Sequence, residues 1–437
     1  MKPIVIFALL FSLSLILPGQ GHAGNWGQWR GPHFDGSSDE TSLPTVFSKT
    51  NAVKWAADLP GPSAATPAVW GQNVFISSSE EKSKTLHALC LDRSSGKILW
   101  NHEVAPGLNQ DDKSNFASPS PATDGKLAVF LYGNGPVAAY DIAGKKLWSR
   151  NLEKDYGPFA YQWTYGASPV LFGGKLFIQV LHRNEPVRGR GKASNESYIL
   201  ALEPASGKEL WRHIRDSEAR MESQEAYSTP IPYQNGDRTE LLIAGGDCIS
   251  GHKVSDGEEL WRWGTWNPNR ITHWRLVASP VSGAGIILAC APKTAPIYAL
   301  KSGAKGKQDD SVLAWKSSEL ELSSDVATPL YYKGRFYVVN GERRTITRVD
   351  PATGKPDWIG DLDSRIKIES SPTAGDDKIY FQNFRGEVFV VGAQKDFKLI
   401  AKIPMGDEGD DQLRSSVALS DGELFLRTGR KLYCVGK

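Results

Sequence analysis

The chain has 437 residues, and its 51 Lys and Arg nearly balance its 49 Asp and Glu, giving a formal net charge of +2. This balance excludes a strong overall attraction to nucleic acid or to acidic lipid, so neither is an expected partner. The 43 Gly and 26 Pro indicate many turns, which favours an all-β fold.

The first residues are predicted to form a signal peptide. Lys2 precedes an apolar run over residues 4–17, and Ala23 completes a small-residue cleavage motif. The run is too short to span a bilayer comfortably. We therefore expect a signal peptide at residues 1–23, cleavage after Ala23, and a secreted or periplasmic mature chain with no integral membrane segment.

The next stretch, "NWGQWRGPHFDGSS" at residues 25–38, has neither a helical nor a strand period. Two exposed Trp on a free tail would form an unusual apolar patch. We therefore predict that residues 24–52 form a latch that lies back on the rest of the protein. In this prediction Trp26 and Trp29 pack in a groove, and the Gly-Pro and Asp-Gly pairs form turns. A ligand site is the alternative interpretation.

A repeated unit fills the rest of the chain. A typical copy opens with Ser/Thr-Pro, continues through a Gly turn and an alternating strand, and ends with Asp-x-x-Ser/Thr-Gly-Lys before a Trp. Four antiparallel strands per unit, at a spacing of roughly 50 residues, are typical of a propeller blade. The copies cover residues 65–100, 117–148, 167–211, 228–261, 278–315, 327–358, 370–401 and 414–436.

The eighth copy ends before its fourth strand. The segment "VKWAADL", at residues 53–59, carries the Trp of the repeat without the rest of a unit. We predict an eight-bladed β-propeller of four-stranded antiparallel blades over residues 53–437, whose ring is closed by this N-terminal strand in the last blade. Seven blades would require the last two copies to be one, yet each has its own strand and hairpin signals.

Half of the 14 Trp occupy the same place in the repeat. A Trp at one position in blade after blade is expected to be a wedge between neighbouring sheets, with its N–H bonded to backbone. A structural role is therefore predicted for Trp55, Trp100, Trp148, Trp211, Trp261, Trp315 and Trp358.

The motif Ser/Thr-Pro followed by "ALD-x-x-TGK-x-x-W" resembles the repeat of the pyrroloquinoline-quinone-like, or quinoprotein alcohol dehydrogenase-like, β-propeller superfamily. The best copies are residues 198–211 and 348–358. The opening "WGQWRGP…DG" resembles a secreted subgroup common in planctomycete-like bacteria. The superfamily includes quinoprotein dehydrogenases of alcohols or sugars and a non-catalytic propeller of the outer-membrane protein assembly machine.

The resemblance to the enzymes does not extend to their cofactor site. Those enzymes hold the quinone beneath a ring formed by two adjacent disulfide-bonded Cys, and hold calcium with a Glu/Asn/Asp set. Here Cys90, Cys248, Cys290 and Cys434 include no adjacent pair, no CxxC and no haem-binding CxxCH, and no motif matches the calcium set. We expect no cofactor; pyrroloquinoline quinone with calcium belongs to the alternative function only.

Candidate binding residues come from the loops that precede each inner strand, because in a propeller these loops surround one mouth of the central channel. Trp163 and Trp274 could stack on a planar ligand or sugar, and Arg275 and Arg414 could hold a carboxylate. The alternative is that these are ordinary solvated loop residues. The candidates are Asn115, Trp163, Tyr165, Glu225, His273, Trp274, Arg275, Asp325, Glu369 and Arg414.

No metal site is predicted. The eight His show no paired ligand spacing, and the acidic "GDEGDD" at residues 406–411 lacks a spaced calcium loop. No catalytic residue is predicted either, since His273 has no visible partner for general base chemistry.

The sequence therefore favours a non-catalytic binding or scaffolding module at the cell envelope, monomeric, whose ligand is a protein, a peptide or a carbohydrate. A quinone-dependent alcohol or sugar oxidoreductase is the alternative. A purely architectural role in an envelope complex is the third possibility.

Overall fold

The computed structural model describes residues 24–108, 111–293 and 295–436. Its 33 strands form eight antiparallel sheets arranged as the blades of a propeller, which confirms the predicted fold. The predicted signal peptide lies outside the described residues. None of the helices in the described part of the chain has the length and apolarity needed to cross a membrane.

The first four blades follow one another along the chain, and each runs from its inner to its outer strand. Blade 1 contains β2 (Ala68–Trp70), β3 (Asn73–Glu80), β4 (Thr85–Asp92) and β5 (Ile98–Pro106); blade 2 contains β6 (Ala122–Thr123), β7 (Leu127–Leu131), β8 (Pro136–Asp141) and β9 (Lys146–Asn151). Blade 3 contains β10 (Val170–Phe172), β11 (Lys175–Val180), β12 (Tyr198–Leu202) and β13 (Glu209–Ile214); blade 4 contains β14 (Ile231–Asn235), β15 (Arg238–Gly245), β16 (Cys248–Lys253) and β17 (Glu259–Trp263).

The remaining blades repeat this order. Blade 5 contains β18 (Val281–Gly283), β19 (Ile286–Cys290), β20 (Ile297–Lys301) and β22 (Leu313–Lys316); blade 6 contains β23 (Leu330–Tyr332), β24 (Arg335–Asn340), β25 (Thr345–Val349) and β26 (Pro356–Asp361). Blade 7 contains β27 (Thr373–Gly375), β28 (Lys378–Gln382), β29 (Glu387–Gly392) and β30 (Leu399–Pro404); blade 8 contains β31 (Ala418–Ser420), β32 (Glu423–Arg427) and β33 (Lys431–Val435). One α-helix (Leu152–Tyr156) and two 3-10 helices (Met221–Gln224, Asp310–Val312) lie in connections.

The fourth strand of blade 8 is β1 (Val53–Asp58), which pairs antiparallel with β33. The ring is therefore closed by the N-terminal strand, as the sequence predicts. One departure occurs in blade 4, where β21 (Gly306–Gln308), from the blade 5 insertion, adds a fifth strand parallel to β17. This extra strand covers the outer edge of blade 4 and leaves fewer backbone groups unpaired there.

The repeated Trp side chains lie between neighbouring blades. In six of the seven, the indole N–H donates to a backbone carbonyl in the last turn of the next blade, as Trp55 does to Arg93 at 2.6 Å and Trp315 to Pro351 at 2.7 Å. Trp261 instead donates to the Glu240 carboxylate at 2.5 Å.

The Ser/Thr-Pro pairs form a hydrogen-bonded ring around the channel. In each case the backbone N–H of one blade donates to the hydroxyl oxygen of the next, at 2.8–3.0 Å. Seven such bonds connect Thr66 to Ser120, Ser120 to Ser168, Ser168 to Thr229, Thr229 to Ser279, Ser279 to Thr328, Thr328 to Ser371, and Ser416 to Thr66. The hydroxyl is therefore an acceptor that ties adjacent blades together, and the Pro that usually follows lacks a competing N–H. We call this set the hydroxyl ring.

Candidate functional site

A central cavity lies at the end of the channel where the inter-blade loops converge. Its volume is about 180 Å³. The middle layer of its wall follows a simple rule. In all eight blades, the residue two positions before the hydroxyl-ring residue lines the cavity. That layer consists of Ala64, Ser118, Gly166, Tyr227, Val277, Val326, Glu369 and Arg414. Beneath it, hydroxyl-ring members such as Ser168 and Thr328 also face the cavity.

The floor of the cavity is Trp29, from the segment that precedes the propeller. This segment crosses the opposite end of the channel and bonds to one inner strand after another. Trp26 pairs with Val69 of blade 1 through both backbone groups, and the Gly27 carbonyl accepts from Thr123 of blade 2. The Gln28 amide then bonds both backbone groups of Leu171 in blade 3. The segment thus closes the channel into a pocket with one open end.

Arg30 anchors the same segment on the other side of the channel. Its guanidinium donates to the carbonyls of Pro329 and Pro372, in blades 6 and 7, at 2.8 and 2.9 Å. Burial without a directly paired carboxylate lowers the pKa of Arg30 to about 10. Trp26 is completely buried, so it packs as the sequence predicts, whereas Trp29 is only half-buried and contributes to the pocket. The predicted packing therefore holds for Trp26, whereas a ligand role for Trp29 stays a prediction.

Much of the charge at the mouth is held in ion pairs. Glu369 bridges Arg414 at 2.6 Å and Lys367 at 2.8 Å. Burial opposes the charge of Glu369, but the two cations outweigh this and hold the pKa of the carboxyl below its usual value. Arg275 lies between Asp325 and Glu222 at longer distances, 3.7 and 3.5 Å, so its pairing is looser.

Trp163 forms the aromatic part of the mouth. The Lys113 ammonium lies 5.5 Å and the Arg188 guanidinium 5.3 Å from the centre of its indole, within the range of cation–π attraction. Among the described residues, neither cation has a carboxylate within 4 Å. The backbone N–H of Trp163 donates to the Tyr227 hydroxyl, which donates to the buried Glu225 at 2.5 Å.

The structure brings together five of the ten predicted site residues. Trp163, Arg275, Asp325, Glu369 and Arg414 line the central cavity. Asn115 lines an adjoining cleft, where its amide donates to Pro62.

The other four predicted residues do not face the cavity. Tyr165 is buried and its hydroxyl donates to the Gln179 carbonyl, while Glu225 is fully buried and paired with Arg183 at 2.6 Å. His273 is exposed outside the pocket, and Trp274 packs against the core of blades 3 to 5. Tyr165 and Glu225 turn into the protein interior, where buried partners satisfy their polar groups.

Sequence reasoning missed several cavity residues. Lys113 and five hydroxyl-ring residues line the wall without having been predicted, and Trp29 was assigned to packing. The signal for the middle layer is present in the sequence, since counting two positions back from each Ser/Thr identifies it. Nothing local in the sequence indicates that the N-terminal segment returns to the axis.

The comparisons with known proteins agree with this architecture. The family model described as "Outer membrane protein assembly factor BamB" matches residues 38–181, 192–389 and 307–436. The chain belongs to this BamB family. This match confirms the predicted resemblance to the pyrroloquinoline-quinone-like propellers. Membership in the secreted planctomycete-type subgroup stays a prediction. No curated protein matches this BamB-family chain in sequence.

Solved structures show the same fold at low identity. BamB from Moraxella catarrhalis superposes with a TM-score of 0.58 at 13% identity, over 88% of this chain and 99% of that one. Quinohemoprotein alcohol dehydrogenase from Comamonas testosteroni gives 0.62 at 13% identity, over 94% and 80%. The WD40 domain of Sif2 gives 0.56 at 10% identity, over 90% and 100%. At these identities the likeness concerns the fold alone.

The donor set around the cavity does not fit a quinone held with calcium. Calcium takes six to eight oxygen ligands, several from carboxylates. The two carboxylates of the cavity wall, Asp325 and Glu369, both lie in ion pairs with Arg or Lys. The four Cys are buried free thiols in the blades, and no described cavity-lining residue is a Cys. We therefore derive no chemistry through this cofactor.

Proposed function

We propose that this protein is a non-catalytic binding propeller of the cell envelope, which holds an acidic segment of a partner protein in its central cavity. The observation that carries this proposal is the pocket itself, closed below by Trp29 and bordered above by Lys113 and Arg188 beside Trp163. A pocket with one open end suits the capture of a protruding loop or chain terminus. Membership in the BamB family supports the envelope location.

The charge of the mouth supports an acidic ligand. Four cations (Lys113, Arg275, Lys367 and Arg414) and two carboxylates line the cavity. The carboxylates are neutralised within the wall, whereas Lys113 and the neighbouring Arg188 are not paired with carboxylates among the described residues. A ligand carboxylate would therefore gain charge-assisted hydrogen bonds without having to displace a protein carboxylate from Lys113 or Arg188.

The same arrangement gives little support to catalysis. No His or Cys is among the described residues that line the cavity. Its carboxylates are fixed by Arg and Lys, and burial keeps the Tyr227 hydroxyl protonated by raising its pKa well above the usual value. General acid–base chemistry near neutral pH needs a group that titrates there, so a binding role uses these residues better.

The proposal can be tested with Lys113→Met and peptides of defined charge. Lys113→Met keeps the apolar stem of the side chain and removes its charge. We expect a fluorescein-labelled acidic peptide to bind roughly three- to tenfold more weakly to the variant, with binding to the native protein weakening as salt increases. The readout is fluorescence anisotropy.

The matched control is Lys97→Met, since Lys97 is exposed in a turn of blade 1, away from the cavity residues. A basic peptide of the same length should bind neither form. Equal affinity of native protein, Lys113→Met and Lys97→Met for the acidic peptide would contradict the proposed site.

A quinone-dependent oxidoreductase is the second candidate, favoured by the likeness in fold to quinohemoprotein alcohol dehydrogenase. Incubation with pyrroloquinoline quinone and calcium, followed by a dye-linked alcohol or sugar oxidation assay, distinguishes the two. Tight quinone binding with turnover would replace the binding proposal. Thermal stability unaffected by quinone would support it.

A further inference from the structure

Two histidines from different blades meet a glutamate at the junction of blades 3 and 4. His213 lies on β13, His252 on β16 and Glu259 on β17, and their ligand atoms all lie within 4.8 Å of one another. The His252 Nε2 and a Glu259 carboxylate oxygen are 3.8 Å apart. The histidines are 39 positions apart in the sequence, so no local spacing reveals the group.

The equivalent positions at other junctions have an ordinary structural partner. Two residues after the blade 1 Trp, His102 bonds the Gly144 carbonyl of the next blade through Nε2 at 2.7 Å. Two residues after the blade 2 Trp, Arg150 donates to the Gly207 carbonyl at 2.9 Å. In both junctions the side chain is used to join neighbouring blades.

At the junction of blades 3 and 4, the equivalent backbone carbonyl already accepts a hydrogen bond from another side chain. His252 Nδ1 bonds the Gly257 carbonyl, the equivalent acceptor, at 3.0 Å. His213 lies edge-on to His252, with ring centres 5.1 Å apart, and neither of its ring nitrogens makes a hydrogen bond within the described residues. His213 is half-buried, so its imidazole is a donor of electron pairs that the fold itself does not use.

The hydrogen bonds of His252 fix its tautomer. A carbonyl only accepts, so Nδ1 carries the proton, and the Nε2 lone pair accepts from the Ser250 hydroxyl at 2.9 Å, a bond that a metal ion would replace. Metal-binding histidines usually donate their other ring N–H to a carbonyl or carboxylate in this manner.

We propose that His213, His252 and Glu259 bind a divalent transition-metal ion of the zinc class, with water or the Ser250 hydroxyl at the fourth position. Two imidazoles and a carboxylate suit Zn²⁺, which takes such ligands at about 2.0–2.2 Å in tetrahedral geometry. Ligand atoms in that geometry are roughly 3.3 Å apart. The ligand atoms are now up to 4.8 Å apart, so binding requires the part-exposed side chains of His213 and Glu259 to move closer to His252.

The neighbouring charges set the strength of this site. Arg262 holds Glu259 through two bonds of 2.6 and 2.8 Å, and the buried Arg215 donates to Ser250 at 3.0 Å. Both cations oppose a second positive charge, so Glu259 binds the ion through one oxygen while the other keeps Arg262. We therefore expect an affinity in the micromolar range, weaker than that of a dedicated zinc site.

The test uses full-length mature protein freed of metal with EDTA and then desalted. Titration with Co²⁺, followed by visible absorption, reports tetrahedral ligation, and competition with Zn²⁺ gives the affinity. We expect one ion per chain and roughly tenfold or greater weakening in His213→Gln. His102→Gln is the matched control, because it changes the equivalent residue of blade 1 and should leave metal binding unchanged.

Folding of each variant is checked by its melting curve in EDTA. Should His213→Gln fail to fold, Glu259→Gln removes another ligand and is expected to weaken binding to a similar extent. The proposal is overturned when the native protein shows no saturable Zn²⁺ binding up to about 100 µM. Equal binding by native protein and a folded ligand variant would overturn it as well.

Discussion

Asp247 is a buried carboxyl group whose protonation is coupled to folding. One of its oxygens accepts from the Asn267 amide at 2.9 Å, and the other has no hydrogen bond within the described residues. Arg270 is 3.8 Å from that second oxygen, too far for a hydrogen bond. Burial therefore dominates and raises the pKa of Asp247 to about 6.

This predicts that Asp247→Asn stabilises the protein at neutral pH. Between about pH 4 and pH 6 the folded state binds more protons than the unfolded state, so stability contributed by protonated Asp247 is lost as pH rises through that window. Asn retains an acceptor for Asn267, tolerates the left-handed φ of 60°, and avoids the buried charge. We expect the free energy of unfolding in urea to rise by about 1 kcal/mol at pH 7.5 and to change little near pH 4.

The control for this prediction is Asp237→Asn, which alters an exposed hairpin turn. Its effect should be small and the same at both pH values. A gain in Asp247→Asn of equal size at both pH values would contradict a linkage to ionisation.

The residues of the pocket show how far one sequence predicts a site. Five of the ten candidates taken from the inter-blade loops line the cavity. Tyr165 and Trp274 do not line the cavity because their rings pack into the interior, and strand parity does not distinguish them from Trp163 and Asp325, which stand at odd positions yet line it. Trp29 could not be placed from sequence, since its position depends on contacts across the whole ring.

At the level of elements, the repeat predicts the blades because turn glycines, strand alternation and Trp recur together. The fifth strand of blade 4 was not predictable, as residues 306–308 read Gly-Lys-Gln and have no apolar alternation. The structure gives the turn glycine a second role. Gly354 packs against the face of Trp315 from the preceding blade, where a methyl group would overlap the indole ring.

This packing predicts that Gly354→Ala is more destabilising than Gly334→Ala. Both glycines have a left-handed φ, 71° and 75°, so both substitutions strain the backbone by about 1–2 kcal/mol. Only a side chain at Gly354 must also displace Trp315, because the space around Gly334 is open. We expect Gly354→Ala to cost about 1–3 kcal/mol more. Urea unfolding measures the difference. An equal loss of unfolding free energy in the two variants would contradict close packing of Trp315 against Gly354.

On the scale of the whole molecule, the ring depends on one seam between the first and last blades. The Trp55 indole donates to Arg93 in blade 1, and Arg93 bonds Glu423 of blade 8 at 2.8 Å. Arg427 of blade 8 donates to the carbonyls of Ser77 and Gly61 at 2.7 and 2.9 Å. These contacts all join residues near the two ends of the chain. We therefore expect closure of the whole ring to depend on them.

The seam and the N-terminal segment are separable by truncation. Removing residues 24–52 takes away the floor of the pocket, the buried Trp26 and the Arg30 anchor, yet leaves β1 in place. We expect the melting temperature to fall by several degrees in a single cooperative transition, since burial of one large aromatic alone contributes about 3–5 kcal/mol. Binding of the acidic peptide should also weaken, because the pocket loses its floor.

Removing residues 24–58 should have a different outcome. The loss of β1 leaves blade 8 with three strands. One edge of β33 then has no partner strand, while its other edge still pairs with β32. Exposed edges favour association between chains, so we expect aggregates in size-exclusion chromatography and loss of the single calorimetric transition. A truncated protein that stays monomeric and melts like the 24–52 deletion would show that β1 is not needed to close the ring, and that the hydroxyl ring, Arg427 and the Arg93–Glu423 ion pair suffice to hold blades 1 and 8 together.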